Sequence, residues 1–158
     1  QKELLTHLGY GKYDYYVNDY KAIAEEFGTV ELEHEHETKL EVDYGSVFFL
    51  ENFPEYTSPF WNMKLQENGT HSNKIDVIIH GIETIGSAER STSSKEMKEK
   101  FETISEGGYA GILYDQFGKE RVQNELEQFL KYDFFKRSGG GIGVGRMIRA
   151  MRLSNLLD

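Results

Sequence analysis

The chain has 158 residues, 38% of them hydrophobic and 13% aromatic, and it contains no cysteine. This composition is typical of a globular protein and excludes disulfides and thiolate metal sites. The net charge of −9 argues against a general nucleic-acid-binding module, because phosphate backbones attract basic surfaces. The sequence contains neither a membrane-length apolar run nor a secretory leader, so we expect one soluble, cytoplasmic domain over residues 1–158.

A short helix is predicted over residues 18–27. Asn18 suits its N-cap, and Gly28 suits the stop at its C-terminus. Its apolar side chains share one face at helical spacing: Tyr20, Ile23, Ala24 and Phe27.

Residues 31–37 are rich in glutamate and histidine, which alternate from Glu33 to Glu37, and both are metal-ligand types. Runs of such residues without a fixed ligand geometry are more common on solvated faces, so we favour a solvated face over a metal site here.

Two apolar stretches predict strands. Val47–Leu50 is a continuous apolar run of the kind found in strands buried on both faces, and Pro54 ends it. Residues 60–65 alternate enough to be its partner. Asn68-Gly69 is a turn dipeptide, so residues 60–65 should also pair in antiparallel fashion with residues 74–85. We interpret Asn68-Gly-Thr70, which fits a glycosylation sequon, as an ordinary turn.

Charged residues interrupt the apolar run of residues 75–90. Burying a carboxylate without a partner is costly, so Asp76, Glu83 and Arg90 indicate a ligand, a metal or one another. Both spacings are seven residues, whereas a regular strand places residues an odd number apart on opposite faces. A bulge at Gly81, or a turn near His80-Gly81, is therefore predicted to break the strand.

Beyond Arg90 the periodicity becomes helical. A Ser/Thr-rich cap precedes the first helix, and Gly118 separates the other two. The apolar positions that define the three are Met97, Phe101 and Ile104; then Tyr109, Ile112, Leu113 and Phe117; and then Val122, Leu126, Phe129 and Leu130. Strands followed by helices and a final strand-helix unit predict an α+β fold, with an antiparallel sheet flanked by helices.

The final strand-helix unit is the glycine-rich run Gly139–Arg146. Together with Asp76, Glu83 and Arg90, and with the Glu35-His-Glu37 to Lys64 region, it resembles the catalytic domain of class II aminoacyl-tRNA synthetases, specifically the aspartyl and asparaginyl branch. The resemblance spans about residues 15 to 153, with the motifs in family order, and the glycine-rich run matches the third signature motif. It implies the C-terminal part of such a domain.

The first and second signature motifs of that family are not found in residues 1–34, and no Phe-Arg-x-Glu stretch occurs. Because the chain also opens on Gln1, we expect it to be a fragment or a processed product. The arginine that grips the α-phosphate in the second motif is then missing from this sequence.

The resemblance implies activation of aspartate or asparagine by ATP and Mg²⁺ as an aminoacyl-adenylate. Asp76 and Glu83 would hold the metal with the phosphates, since Mg²⁺ prefers hard oxygen ligands. Arg146 would clamp the γ-phosphate. Arg149 and Arg152, which lie one and two turns further along the same helix, would not.

The remaining implied roles concern the backbone and the amino acid. Gly141 and Gly143 would let the main chain approach ATP. Arg90 would bind the substrate side chain, and the segment that carries Glu35 and Glu37 would lie near the amino-acid pocket. A structural alternative for Arg90 is that it merely neutralises Glu83 and Glu89.

The sequence also departs from the family pattern. Residues 86–89 read Gly-Ser-Ala-Glu where relatives carry glycines, which narrows the expected amino-acid pocket, and Gly145 precedes Arg146 where relatives often carry an acid. The Gly-Gly-Gly-Ile-Gly run is similar to the ammonia-dependent asparagine synthetase. Three alternatives therefore stay open. The first is a ligase that charges tRNA, which it binds through other parts of a larger, homodimeric protein. The others are an enzyme like the ammonia-dependent asparagine synthetase and a catalytically silent binding module.

Overall fold

The computed structural model describes residues 1–57, 59–67 and 69–158. Within these ranges the chain forms five strands and seven α-helices, joined by three short 3-10 turns. The strands are β1 (Tyr16–Asp19), β2 (Val47–Pro54), β3 (His71–Ile79), β4 (Ile82–Arg90) and β5 (Arg137–Ile142). The helices are α1 (Lys2–His7), α2 (Tyr20–Phe27), α3 (His34–Tyr44), α4 (Ser94–Thr103), α5 (Gly108–Phe117), α6 (Lys119–Leu130) and α7 (Val144–Leu153).

The strands form one mixed sheet in the order β1-β2-β3-β4-β5. β1 is parallel to β2, with Tyr16 opposite Phe48. β2 and β3 run antiparallel, because the N–H of His80 donates to the carbonyl of Ser46 at one end and the N–H of Glu55 to that of Thr70 at the other. The two-residue connection between β3 and β4 also makes them antiparallel. The predicted antiparallel sheet is thus only partly right, since β1–β2 is a parallel pair.

The chain divides into two compact units. The first comprises residues 1–52, 75–87 and 140–158, and the second comprises residues 53–74 and 88–139. Strands β2 to β5 each contribute residues to both units. The expectation of a single domain stays a prediction.

The core of the first unit forms between alternate strand positions and helices α1 and α7. The β2 residues Val47 and Phe49 point the same way as Val77 and Ile79 of β3, as period-two alternation requires. Against them pack Leu5 and Tyr10 from the N-terminal segment, with Met147 and Ala150 from α7. This packing fixes the start of α7 beside β4.

The core of the second unit is helical. Phe101 of α4, Ala110 of α5, and Val122 and Leu126 of α6 are buried together, with Trp61 packed against them. Ser93 caps α4 by accepting the N–H of Glu96, and Gly118 separates α5 from α6. The three predicted helices are confirmed, although Ile104 lies just beyond the end of α4.

Most of the predicted helices and strands are confirmed, but some of them begin or end at other residues than predicted. Helix α2 is confirmed, but its N-cap is Asp19, whose side chain accepts the N–H of Lys21. Asn18 belongs to β1 instead. Strand β2 is confirmed and extends through Pro54.

Residues 60–65 do not form the predicted strand. The neighbours of β2 are β1 and β3, so the proposed pairing of residues 60–65 with Val47–Leu50 is wrong. Only isolated antiparallel bridges join Met63 to Arg90 and Leu65 to Ser72 among the described residues. A turn bond from the N–H of Met63 to the carbonyl of Phe60 begins the segment, which prevents a regular ladder from starting there. The predicted turn at Asn68 lies outside the described residues.

None of the helices within the described ranges is long and apolar enough to cross a membrane.

Candidate functional site

The hairpin of β3 and β4 carries the two acidic residues singled out in the sequence. His80 and Gly81 form its two-residue turn, with φ values of 48° and 68°. Two consecutive left-handed residues match the twist of the flanking strands. A Cβ at Gly81 would lie 2.9 Å from Thr38 Cα, so glycine is required there for close approach as well as for φ. The predicted turn near His80-Gly81 is confirmed, and it places Asp76 and Glu83 on neighbouring antiparallel strands.

The carboxylates of Asp76 and Glu83 approach the same point beside Gly86. A Cβ built on Gly86 would lie 2.8 Å from Glu83 Oε1 and 3.2 Å from Asp76 Oδ1. Asp76 is buried, whereas the Glu83 side chain keeps 37% of its exposure. Two carboxylates brought together repel each other, and a shared cation relieves that repulsion. Their oxygens are also the hard ligands that Mg²⁺ prefers.

Two further charged side chains meet Glu83. Glu37, on the first turn of α3, accepts the N–H of Glu83 through its Oε2 at 3.3 Å. Arg146 Nη1 donates to the carbonyl oxygen of Glu83 at 2.9 Å and lies 3.8 Å from its Oε2. We call Asp76, Glu83, Glu37 and Arg146 the acidic cluster; it holds three carboxylates and one guanidinium.

The glycine-rich segment leads from β5 into α7 along the edge of β4. A Cβ at Gly140 would lie 2.5 Å from the carbonyl oxygen of Gly86 and 2.6 Å from Ser87 Cβ, so only glycine fits there. Gly143 is the N-cap of α7, and its N–H donates to the carbonyl of Thr84. At Gly141 a Cβ would meet nothing within 4 Å, which leaves the backbone open.

The three arginines of α7 have different surroundings. Arg146 is in the first turn, as predicted, and reaches Glu83. Arg149 Nη1 donates to the carbonyl of His80 at 3.3 Å, and Arg152 Nε to that of Asp158 at 3.3 Å. Only Arg146 therefore combines a position at the helix N-terminus with contact to the acidic cluster.

A hydrogen-bonded network holds the hairpin turn. His80 Nδ1 lies 2.6 Å from Glu41 Oε1, and its Nε2 lies 2.8 Å from the hydroxyl of Ser154. The Ser154 hydroxyl in turn lies 3.2 Å from that of Tyr10. Burial raises the pKa of Tyr10, and its hydrogen bond with Ser154 partly offsets that rise. The turn is thus tied to α3 and to the end of α7.

Arg90 belongs to the second unit. Its Nη1 donates to Asn62 Oδ1 at 3.1 Å and its Nη2 to the carbonyl of Gly139 at 3.2 Å. Burial lowers the pKa of Arg90, and the nearby Arg137 lowers it further. Arg90 also lines a cavity of about 450 Å³, together with Lys64, Asn73, Glu89 and Lys136. Glu89 pairs with Lys136 at 3.7 Å, and among the described residues no ion pair joins it to Arg90.

The histidine- and glutamate-rich run places one of its two candidate glutamates against the hairpin. Glu35 is exposed on α3, whereas Glu37, two residues later, reaches Glu83. Glu33 and His36 close the N-terminus of α3 as a reciprocal cap. Within the described residues no group of three or more His, Cys, Asp or Glu side chains is arranged to hold a metal ion. The pair of Asp76 and Glu83 would accordingly need ligand oxygens to complete a metal shell.

A family model described as tRNA synthetases class II (D, K and N) matches residues 12–156. The aspartate–tRNA(Asp) ligase of Pyrobaculum aerophilum is 29% identical over 108 residues, which cover 68% of this chain and 22% of that protein.

Solved structures show the same fold. The asparaginyl-tRNA synthetase of Pyrococcus horikoshii superposes with a TM-score of 0.66 at 18% identity, over 98% of this chain and 38% of that one. The same enzyme complexed with asparaginyl-adenylate gives a TM-score of 0.66 over 94% of this chain and 35% of that one, at 18% identity. For the aspartyl-tRNA synthetase of Entamoeba histolytica the TM-score is 0.63, with 18% identity and coverage of 88% and 28%. The chain therefore spans well under half the length of these relatives.

Proposed function

Because the chain belongs to the class II tRNA synthetases of the D, K and N group, we propose that it is the part of a catalytic domain that activates aspartate or asparagine with ATP as an aminoacyl-adenylate. The observation that carries this proposal is the acidic cluster, in which Asp76 and Glu83 converge beside Gly86 while Arg146 lies against Glu83 at the start of a helix. Hard oxygen donors and a guanidinium at a helix N-terminus are what a magnesium–triphosphate group requires.

Asp76 and Glu83 are assigned to Mg²⁺. The fit rests on their shared approach to Gly86 and on the pure oxygen character of the pair. When bound, the metal offsets negative charge on the phosphates as pyrophosphate leaves. The role of the protein is to hold the two carboxylates in place. It does so through the hairpin turn and through the hydrogen bond that the N–H of Glu83 donates to Glu37.

Arg146, Gly141 and Gly143 are assigned to ATP. Arg146 would exchange its contact with Glu83 for the γ-phosphate, where charge develops in the reaction. The open space over Gly141 admits a nucleotide close to the backbone, and the N-terminus of α7 behind Gly143 favours negative charge.

Arg90 is assigned to the side chain of the substrate amino acid. A guanidinium matches a planar carboxylate or amide, and Asn62 and Gly139 hold it in one orientation. Glu35 and Glu37 keep their predicted place near the amino-acid pocket as a proposal, and the contact of Glu37 with Glu83 favours Glu37 of the two. The acceptor is tRNA, bound through other parts of a larger homodimeric cytoplasmic protein, or ammonia.

Titration calorimetry with ATP and Mg²⁺ tests the metal assignment. Asp76→Ala and Glu83→Ala should each weaken magnesium-dependent nucleotide binding, because either variant removes a ligand oxygen. Glu25→Ala removes an exposed carboxylate paired with Lys21 in the same unit and serves as the matched control. If the magnesium dependence of nucleotide binding is unchanged in both Asp76→Ala and Glu83→Ala, the assignment of these residues to Mg²⁺ is wrong.

Pyrophosphate exchange with aspartate and with asparagine tests the activity, on the longest natural form of the protein that contains this chain. Exchange with one amino acid supports the proposal and identifies the substrate. Nucleotide and amino-acid binding without exchange would favour the catalytically silent module instead.

A further inference from the structure

The second unit contains a cavity of about 480 Å³ that the proposed chemistry does not use. Its walls come from the segment after β2, the start of β3, and the end of α4 with the turn that follows. The aromatic residues Tyr56, Phe60 and Trp61 line it, and we call it the aromatic cavity. Polar and aromatic side chains share its lining, and its volume is in the range of small-molecule sites.

A buried hydroxyl marks this cavity as a binding site. Ser72 is fully buried and lines the cavity, and its Oγ has no hydrogen-bond partner among the described residues. A buried polar group without a partner costs free energy, so such groups are rare in native proteins unless something else satisfies them. A ligand in the cavity would supply the missing partner.

The charges around the cavity limit what the ligand can be. Lys100 and Glu55, which both line it, form an ion pair and neutralise each other. Glu106 lies exposed at the rim rather than in the interior. An ionised ligand would lose its hydration inside without gaining an opposite charge. The interior instead offers aromatic surface, Met63 and Leu65.

The rim of the cavity has an unusual backbone. Ser105 and Glu106 have φ values of 53° and 55°, so two consecutive residues other than glycine adopt the left-handed conformation. Such strain costs free energy and is concentrated at ligand clamps and functional sites. Its position at the rim agrees with the indication from Ser72.

We propose that the aromatic cavity binds a small, uncharged, planar aromatic molecule whose single hydrogen-bonding substituent contacts the Ser72 hydroxyl. The ring would pack against Phe60 and Trp61, whose ring centroids are 5.8 Å apart. The site is distinct from the cavity beside Arg90, although Leu65 lines both.

The single tryptophan of the chain provides the assay. Trp61 is the only source of an indole N–H signal in a ¹⁵N-labelled 158-residue chain, so its shift reports binding directly. The probes are benzamide, toluene, which lacks the polar substituent, and benzoate, which carries a charge. We expect a saturable shift with benzamide, and several-fold weaker binding of toluene and benzoate.

Two variants locate the site. Ser72→Ala should weaken benzamide binding about five-fold, the size of one net hydrogen bond, and leave toluene unchanged. Trp61 also borders a second, apolar cavity lined by Leu113, so Leu113→Ala is the matched control and should leave benzamide binding unchanged. The proposal is overturned by the absence of a saturable benzamide shift, by an unaltered benzamide-to-toluene ratio in Ser72→Ala, or by a loss confined to Leu113→Ala.

Discussion

The acidic cluster of the first unit and the aromatic cavity of the second hold their polar groups in opposite ways. In the acidic cluster, Glu83 is contacted through its N–H, its carbonyl and its carboxylate by Glu37 and Arg146. In the aromatic cavity, the Ser72 hydroxyl is buried with no hydrogen-bond partner among the described residues. The first region pairs its charged groups with one another, and the second buries a polar group that has no such pairing.

This difference separates two ways in which a ligand can be recognised. Charged groups that pair with one another can exchange those pairs for a charged ligand, at low cost in desolvation because they are already partly exposed. A buried hydroxyl can gain only one bond, so it selects a polar substituent and leaves the affinity to the apolar walls. The following predictions test each half of the comparison.

The largest effect is expected at Arg146. Arg146→Ala should cost about 2–4 kcal/mol in ATP-dependent activation, because it removes a positioned charge where negative charge develops. Arg149→Ala and Arg152→Ala are the matched controls, since their side chains contact the carbonyls of His80 and Asp158. Pyrophosphate exchange measures all three. Equal losses would replace the phosphate-clamp assignment with a diffuse electrostatic effect.

The hairpin turn comes next. His80→Ala should lower the free energy of unfolding by about 2–3 kcal/mol, because it removes two side-chain hydrogen bonds and forces alanine into the left-handed conformation. In His80→Gly the left-handed conformation is unstrained and only the side-chain hydrogen bonds are lost, so this variant should cost about 1 kcal/mol less. Urea unfolding compares them, and equal losses would show that the turn conformation carries no strain.

A smaller loss is expected in the glycine-rich segment. Gly140→Ala should destabilise the protein by about 1–3 kcal/mol, because its Cβ would overlap the backbone of Gly86 and Ser87. Gly141→Ala has open space and should change stability by less than about 0.5 kcal/mol. Thermal unfolding of the two variants tests this contrast. If Gly140→Ala is tolerated as well, the close approach of β5 to β4 is not required.

The smallest effect has the opposite sign. Ser72→Ala should leave stability unchanged or raise it by up to about 1 kcal/mol, because it removes a buried hydroxyl that lacks a partner. Ser91→Ala is the control. The equally buried hydroxyl of Ser91 donates to Glu96 at 2.6 Å, so its removal should lower the free energy of unfolding. Urea unfolding measures both. A loss at Ser72 as large as that at Ser91 would mean that its hydroxyl is satisfied within the folded chain.

The acidic cluster was largely accessible from the sequence because its signals are local or follow a fixed spacing. The odd separation of Asp76 and Glu83, with a glycine between them, predicted a bulge or a turn, and the structure has a turn at His80-Gly81. The placement of Arg146 in the first turn of a helix followed from the glycine run before it. Glu37 was missed as a contact of Glu83 because that contact depends on how α3 packs against the hairpin, which no spacing reveals.

The second unit was harder to predict for a physical reason. Residues 60–65 alternate like a strand, but the turn at Phe60–Met63 and the position of Trp61 in the helical core override that pattern. The aromatic cavity has no sequence signature, because its walls combine irregular segments with single residues of β3 and α4. The helices themselves were predicted well, since their 3.6-residue periodicity reports the packing that stabilises them.

The network around His80 also determines when the candidate site can form. The β3–β4 hairpin closes over two residues, and such hairpins form in about 1–10 μs. Its stabilising partners are remote along the chain: Glu41 is 39 residues before His80, Ser154 is 74 residues after it, and Arg146 is 63 residues from Glu83. Closing such long loops costs entropy and slows assembly. During synthesis Asp76 and Glu83 therefore emerge before α7, and the candidate site is completed only after α7 has left the ribosome.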